Sequence, residues 1–68
     1  MNFRIILLNC NSLCSKLSEI KNLVDNEKAE LVCLTETLLT KLEPKFKNYK
    51  CEWKHRPDRS GGGIGILI

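Results

Sequence analysis

Two short polar segments, each directly after an apolar run, carry the residue types that could do chemistry in this chain. Glu36 follows the apolar run of residues 31–35, and Asn9 and Asn11 follow the apolar run of residues 3–8. Carboxylate and amide oxygens are ligands of hard divalent cations such as Mg²⁺, and amide N–H groups donate hydrogen bonds to phosphate oxygens. A single charged residue is usually plain solvated surface, so these residues gain meaning only if the fold brings them together.

Both apolar runs predict β-strands, and the segment between them predicts a helix. The middle of residues 30–35 is apolar on both alternating faces, which is typical of an inner strand in a parallel sheet covered on both sides. Residues 2–10 are apolar on both faces after Arg4. Apolar residues then recur at helical spacing from Leu13 to Val24, and the helix should fade near residues 25–28. Asn11 or Ser12 is the predicted N-cap of this helix.

A strand, a helix and a strand at this spacing predict a βαβ unit with parallel strands. Parallel strands end at the same edge of a sheet, so Asn9 and Asn11 should arrive beside Glu36. In open α/β sheets, ligands and catalytic groups collect at this edge. The three side chains together suit a divalent ion or a hydrogen-bonded phosphate better than any one of them alone.

The second half of the chain predicts a loop followed by an antiparallel hairpin. Residues 37–48 have no strong period, and Pro44 interrupts them. Residues 49–56 alternate, residues 57–63 have the composition of a turn, and residues 64–68 begin another apolar strand. The inward face of the first hairpin strand is expected to carry Tyr49, Cys51, Trp53 and His55. The outward face is expected to carry Lys50, Glu52, Lys54 and Arg56.

Composition limits the chain to one small domain with a basic second half. The 68 residues carry a net charge of +3, and residues 41–68 hold seven of the eleven Lys and Arg against three acids. Such a segment could contact phosphates through Lys50, Lys54 and Arg56, or it could be an ordinary solvated surface. No apolar run approaches the roughly 20 residues that a membrane-spanning helix needs.

The remaining residues that could suggest a site are better explained by packing. Cys10, Cys14, Cys33 and Cys51 form no C-x-x-C pair, and His55 is the only histidine, which disfavours structural zinc. Free cysteines in apolar strands are typical of a reduced, intracellular protein. His55 is expected to be a packed or edge residue rather than a catalytic one, and Trp53 is expected to anchor the core. The glycines at 61–63 are expected to supply positive φ in the turn. These glycines lead into a strand and lack the following Lys-Ser/Thr of a phosphate-binding loop.

Three sequence strings carry a resemblance to a known family: LNCNSL at residues 8–13, LTET at 34–37 and RPDRSGGGIGIL at 56–67. In this order, they resemble the endonuclease/exonuclease/phosphatase superfamily, and most closely the endonuclease domain of non-LTR (LINE-type) retrotransposons. The resemblance spans essentially all of residues 1–68, which look like only the first third or so of such a domain. The apolar residues 65–68 at the end of the chain also suggest a piece of something longer.

The resemblance implies the N-terminal part of a four-layer α/β sandwich, built as a βαβ unit followed by a β-hairpin. It implies a phosphodiesterase that depends on Mg²⁺, with Mn²⁺ as an alternative. The Glu of the LTET string is a metal ligand in the family, which assigns that role to Glu36. The first Asn of the LNxN string organises the active site, which assigns that role to Asn9. Asn11 stands where some relatives carry an acidic residue near the metal.

The activity implied for the parent protein is nicking of DNA during retrotransposition. Its expected partners are DNA and a downstream reverse transcriptase domain, with no membrane, in the nucleus or the cytoplasm. The family's later motifs, a catalytic Tyr, an Asp-x-Asn pair and a Ser-Asp-His string, have no counterpart here. The 68-residue chain is therefore expected to be inactive alone. The alternatives are a non-catalytic relic or interaction fragment of the same fold, and a piece of a superfamily phosphatase.

Overall fold

A computed structural model describes residues 3–39, 41–55 and 62–68. They form a four-stranded sheet with one helix. The strands are β1 (Ile5–Asn9), β2 (Leu31–Thr35), β3 (Cys51–Lys54) and β4 (Ile64–Leu67). A 3₁₀ turn (Cys14–Lys16) leads into the helix α1 (Leu17–Glu27) between β1 and β2.

The βαβ unit is present as predicted, and β2 is an inner strand. β1 and β2 are parallel neighbours, with Ile5 opposite Leu31 and Asn9 opposite Thr35. The hairpin prediction is also confirmed, because β3 and β4 are antiparallel. β4 pairs antiparallel with β2 as well, which gives the strand order β1-β2-β4-β3. The expectation of a purely parallel environment for β2 is therefore wrong, because the returning hairpin strand takes its second edge.

The helix begins later than its apolar pattern predicts, and the N-cap prediction is wrong. Leu13 precedes the 3₁₀ turn and Lys16 precedes α1, and neither makes a side-chain capping bond. Asn11 and Ser12 have positive φ values of 46° and 85°, so they lie in a turn outside the helix. The Ser12 N–H donates to the Glu36 carbonyl at 3.0 Å. No helix in the three described ranges is long and apolar enough to cross a membrane.

The core lies on one face of the sheet, between the strands and α1. Side chains from β2, β4 and the helix are buried there, and the interior is completed by residues from the connecting segments. The buried apolar residues are Cys10, Leu13, Ile20, Val24, Ala29, Val32, Leu34, Leu39, Phe46 and Leu67. Cys10 thus packs as a small hydrophobic residue, as predicted. Cys51 and Trp53 point inward and are half-buried, while Glu52 and Lys54 are exposed, which confirms the predicted alternation of β3.

Trp53 lies directly over Gly65 of the neighbouring strand β4. A Cβ atom on Gly65 would stand 2.3 Å from Cζ3 and 2.5 Å from Cε3 of the Trp53 ring. Only a residue without a side chain leaves room for the indole at this position. The ring centroid of Trp53 is 6.3 Å from that of the buried Phe46, so the indole connects β4 to the loop before β3.

The opposite face of the sheet is apolar and open. Leu7 is 77% exposed and Ile5 55% exposed, and Ile64 and Ile66 are exposed on the same face. We name this surface, formed by Ile5, Leu7, Ile64 and Ile66, the open face. Within the described residues, the helix packs against the other face, and nothing covers the open face.

Candidate functional site

The segments that follow β1 and β2 run side by side. The Cys10 N–H donates to the Thr35 carbonyl at 2.8 Å, and the Leu13 N–H donates to the Thr37 carbonyl at 3.0 Å. With the Ser12 bond to Glu36, these contacts continue the parallel pairing beyond the ends of both strands. The sequence-based prediction that this edge gathers the two polar segments is confirmed.

Asn9 and Asn11 lie on the chain next to Glu36. Asn9 is the last residue of β1, exposed, and pairs in register with Thr35, the residue before Glu36. Asn11 is exposed and follows two residues later in the turn. The structure thus places the three predicted site residues at one edge of the sheet. Their assignment as active-site and metal-binding residues stays a prediction.

Glu36 is held between the end of β2 and the start of β4. Its Oε2 accepts a hydrogen bond of 2.9 Å from the Gly62 backbone N–H. In the other direction, the Leu38 N–H donates to the Gly62 carbonyl at 2.9 Å, and the Thr37 N–H donates to the Gly63 carbonyl at 3.4 Å. No local pattern predicts this contact, because 26 positions separate Glu36 from Gly62.

Left-handed backbone conformations are concentrated at this edge. Glu36 has φ 52° and Leu38 φ 56°, and Asn11 and Ser12 are also positive. Gly62 and Gly63 have φ 80° and 95°, which confirms the predicted role of the glycines at these two positions. Residues other than glycine adopt such values only where the surroundings impose them, and they cluster at functional sites.

A cleft with a volume of about 400 Å³ opens beside Glu36. Its lining combines the carboxylate with the exposed ammonium group of Lys54 and the ring of His55. The lining residues are Thr35, Glu36, Lys54, His55, Gly62, Gly63 and Ile64. A negative and a positive side chain around one cleft can hold a phosphate and a cation next to each other.

His55 is a packed histidine at the rim of the cleft, as predicted. Its side chain is 18% exposed, and Nε2 lies 3.0 Å from Oε2 of Glu43. Nδ1 is buried and has no hydrogen-bond partner among the described residues. The contact with Glu43 ties the loop before β3 to the end of that strand. Sequence reasoning did not place His55 beside Glu36.

Besides Asn9, three basic residues are predicted to contact DNA, and the structure places one of them at the cleft. Lys54 lines it, whereas Lys50 lies at the other end of β3 and exchanges two backbone hydrogen bonds with Ile68, at 2.7 and 2.9 Å. Lys50 and Lys54 are four positions apart, which is about 13 Å along an extended strand. Arg56 lies outside the described residues.

The donor set at this edge fits one part of a Mg²⁺ site. Within residues 3–39, 41–55 and 62–68, no three His, Cys, Asp or Glu side chains come together as metal ligands. Mg²⁺ is usually held by one or two carboxylates together with waters and substrate phosphates. The exposed Glu36 carboxylate matches the protein side of such a site. Asn9 and Asn11 lie on the neighbouring segment, but neither lines the cleft beside Glu36, and Asn9 lines a separate cleft.

Comparison with known proteins supports the fold. No family model matches the chain, and no curated protein matches it. A solved structure of a 3′ phosphatase from Neisseria, bound to a product DNA hairpin, is 23% identical with a TM-score of 0.78. The structure of an AP endonuclease from Archaeoglobus fulgidus is 20% identical, also with a TM-score of 0.78.

Each of these alignments covers 97% of this chain and 27% of the other. The chain therefore spans about a quarter of the length of the structures it matches. At this identity the likeness shows the fold alone, and it confirms the predicted fold class. The sheet and helix correspond to the N-terminal part of an AP endonuclease-like α/β fold.

Proposed function

We propose that this chain is the N-terminal part of a metal-dependent phosphodiesterase domain that nicks DNA, of the kind found in LINE-type retrotransposons. The observation that carries the proposal is the position of Glu36, next to Asn9 and Asn11 at one edge of a sheet. The fold shared with an AP endonuclease and with a DNA-bound 3′ phosphatase supports it. The three sequence strings supply the LINE-type assignment.

In this proposal, Glu36 holds Mg²⁺ or Mn²⁺, and Asn11 lies near the ion. A bound ion at this position would stabilise negative charge on the phosphate and on the leaving oxygen. Asn9 organises the site by donating its amide N–H to a phosphate oxygen. Lys54, which lines the same cleft as Glu36, attracts the DNA backbone.

The proposal concerns a longer protein, in which residues 1–68 continue into the family's later motifs; we call it the extended protein. The general base that activates the attacking water belongs to those motifs and has no counterpart in this chain. The extended protein would act on DNA in the nucleus or the cytoplasm, with a reverse transcriptase domain downstream. Among the described residues, the predicted site at this edge consists of one carboxylate and two amides, and the imidazole in the adjoining cleft, His55, is paired with Glu43.

The test is replacement of Glu36 by Gln in the extended protein. The amide keeps the volume but removes the charged oxygen ligand, so nicking of supercoiled plasmid should fall by orders of magnitude at equal DNA occupancy. DNA binding should be largely unchanged. Glu27→Gln is the matched control, because Glu27 is exposed at the end of α1 and, among the residues that the structure describes, its carboxylate pairs only with Arg4. Equal nicking by Glu36→Gln and Glu27→Gln would overturn the metal-ligand assignment.

A second candidate is a non-catalytic fragment of the same fold. It is favoured by the lack of any three-ligand cluster among the described residues. A third is a piece of a superfamily phosphatase, given that one structural neighbour is a 3′ phosphatase. The gene sequence downstream of Ile68 separates them. An open reading frame with the Ser-Asp-His string and a reverse transcriptase supports the retrotransposon enzyme, and an immediate stop codon supports the relic.

A further inference from the structure

We infer that Gly62 and Gly63 are positioning residues for Glu36: their backbone fixes the carboxylate and thereby sets the metal affinity of the site. The inference rests on the proposed function, in which Glu36 binds the ion. It assigns to the glycine-rich string a role in the site at the end of β2, in addition to its role in the turn.

The first step is the hydrogen bond to the carboxylate. Glu36 is exposed, and a free Glu side chain on a surface samples many rotamers. The Gly62 N–H, 2.9 Å from Oε2, restrains the side chain, and Oε1 of the same carboxylate has no hydrogen-bond partner within the described ranges. Groups that hydrogen-bond to a metal-binding carboxylate orient it and raise the affinity of the site.

The second step is the backbone pairing that fixes Gly62 itself. The carbonyls of Gly62 and Gly63 accept hydrogen bonds from the Leu38 and Thr37 N–H groups, so residues 36–38 and 62–63 hold each other in both directions. Glu36 and Leu38 are kept in left-handed conformations that neither residue type prefers. Loss of this pairing would allow Glu36 to relax to an ordinary backbone conformation, with its carboxylate pointing elsewhere.

The third step is the requirement for glycine. Gly62 and Gly63 have φ values of 80° and 95°, a region that side chains disfavour. A Cβ on Gly63 would also lie 2.5 Å from Oγ1 of Thr37. Thr37 is only 1% exposed, so its side chain has no open space to move into. A larger residue at position 63 would therefore push the start of β4 away from Glu36, and so would a residue at position 62 that cannot adopt positive φ.

The experiment compares Gly62→Val with Gly62→Asn in the extended protein. Both variants keep the backbone N–H. Asn tolerates positive φ, whereas a β-branched residue at φ 80° is strongly disfavoured. Mn²⁺ affinity is measured by electron paramagnetic resonance, and thermal unfolding checks the fold of each variant. Gly62→Val should weaken Mn²⁺ binding about 10- to 100-fold, the usual effect of removing a group that orients a metal ligand. Gly62→Asn should bind Mn²⁺ nearly as well as the unmodified protein.

The reference variant is Glu36→Gln, which separates this inference from the proposed function. If Glu36→Gln weakens Mn²⁺ binding and a folded Gly62→Val does not, the positioning role is refuted and the metal site stands. If Glu36→Gln leaves Mn²⁺ affinity unchanged, the proposed metal site itself is refuted. If Gly62→Val fails to fold, Gly62→Ala takes its place in the comparison. Equal Mn²⁺ affinities of Gly62→Ala and Gly62→Asn would then overturn the inference.

Discussion

Replacing Gly65 by Ala tests the packing of Trp53 on β4. The new methyl group would stand 2.3 Å from Cζ3 and 2.5 Å from Cε3 of the indole, so the ring must move. The ring is also in contact range of Phe46, with a centroid distance of 6.3 Å, which limits where it can go. Overpacking of this kind costs about 1–3 kcal/mol.

A smaller gain opposes this cost. Gly65 has no positive φ, so Ala fits its backbone and recovers the roughly 0.5–1 kcal/mol that a glycine loses in a strand. The net expectation is a loss of about 1–2 kcal/mol in the free energy of unfolding. The assay is urea unfolding of the extended protein, followed by circular dichroism.

A double-mutant cycle with Trp53→Leu identifies the cause of the loss. Leu is shorter than the indole and leaves room for the methyl group, so Gly65→Ala should become neutral or slightly stabilising in that background. The clash with Trp53 would then account for the whole destabilisation. If Gly65→Ala costs the same free energy in both backgrounds, this account of the packing is incorrect.

Three further predictions follow from the charges and the exposed surface. Lys54→Ala should reduce the salt dependence of DNA binding by about one unit of the log–log slope. Lys50→Ala, at the far end of β3, should not change it, and equal effects of the two would contradict the placement of DNA at the cleft. Burial raises the pKa of Tyr49, and the Glu30 and Asp25 carboxylates raise it further. The neutral phenol is thus favoured in the folded state. The contribution of Tyr49 to the free energy of unfolding should be fully present below the ordinary tyrosine pKa of about 10, and it should be lost as the pH rises through the higher folded-state pKa. The loss should be smaller in Tyr49→Phe, as measured by urea unfolding at each pH. The 68-residue chain alone should self-associate through the open face without nicking plasmid, and Leu7→Lys should reduce the association measured by sedimentation. A monomeric unmodified chain would refute this last prediction.

The sequence predicts the βαβ unit well because its signals are local. The apolar runs and the helical spacing from Leu13 to Val24 each lie within one element, and consecutive elements pair in space. The position of β4 between β2 and β3 could not be predicted, because pairing across long intervals leaves no local pattern. The N-cap prediction failed for a related reason. Asn11 and Ser12 have suitable side chains, but the pairing of their segment with residues 36–37 imposes positive φ on them.

The same distinction applies to the site. A carboxylate at the end of an apolar strand is visible in the sequence, and Glu36 was predicted on that basis together with the family resemblance. Its contact with Gly62 depends on tertiary structure alone. Lys50 and Lys54 have the same parity along β3, so the alternation predicts that they share a face. It does not show that only Lys54 reaches the edge where Glu36 lies.

The place of β4 in the middle of the sheet has a consequence for biosynthesis. β2 gains its second neighbour only when residues 64–67 have left the ribosome, after residues 36–63 have been added. At about 5–20 residues per second, this takes on the order of seconds. During this interval, the nascent chain exposes a free strand edge beside an uncovered apolar surface, which is the kind of segment that chaperones bind. The carboxylate of Glu36 reaches its final position only when the strand that follows Gly62 and Gly63 closes the sheet.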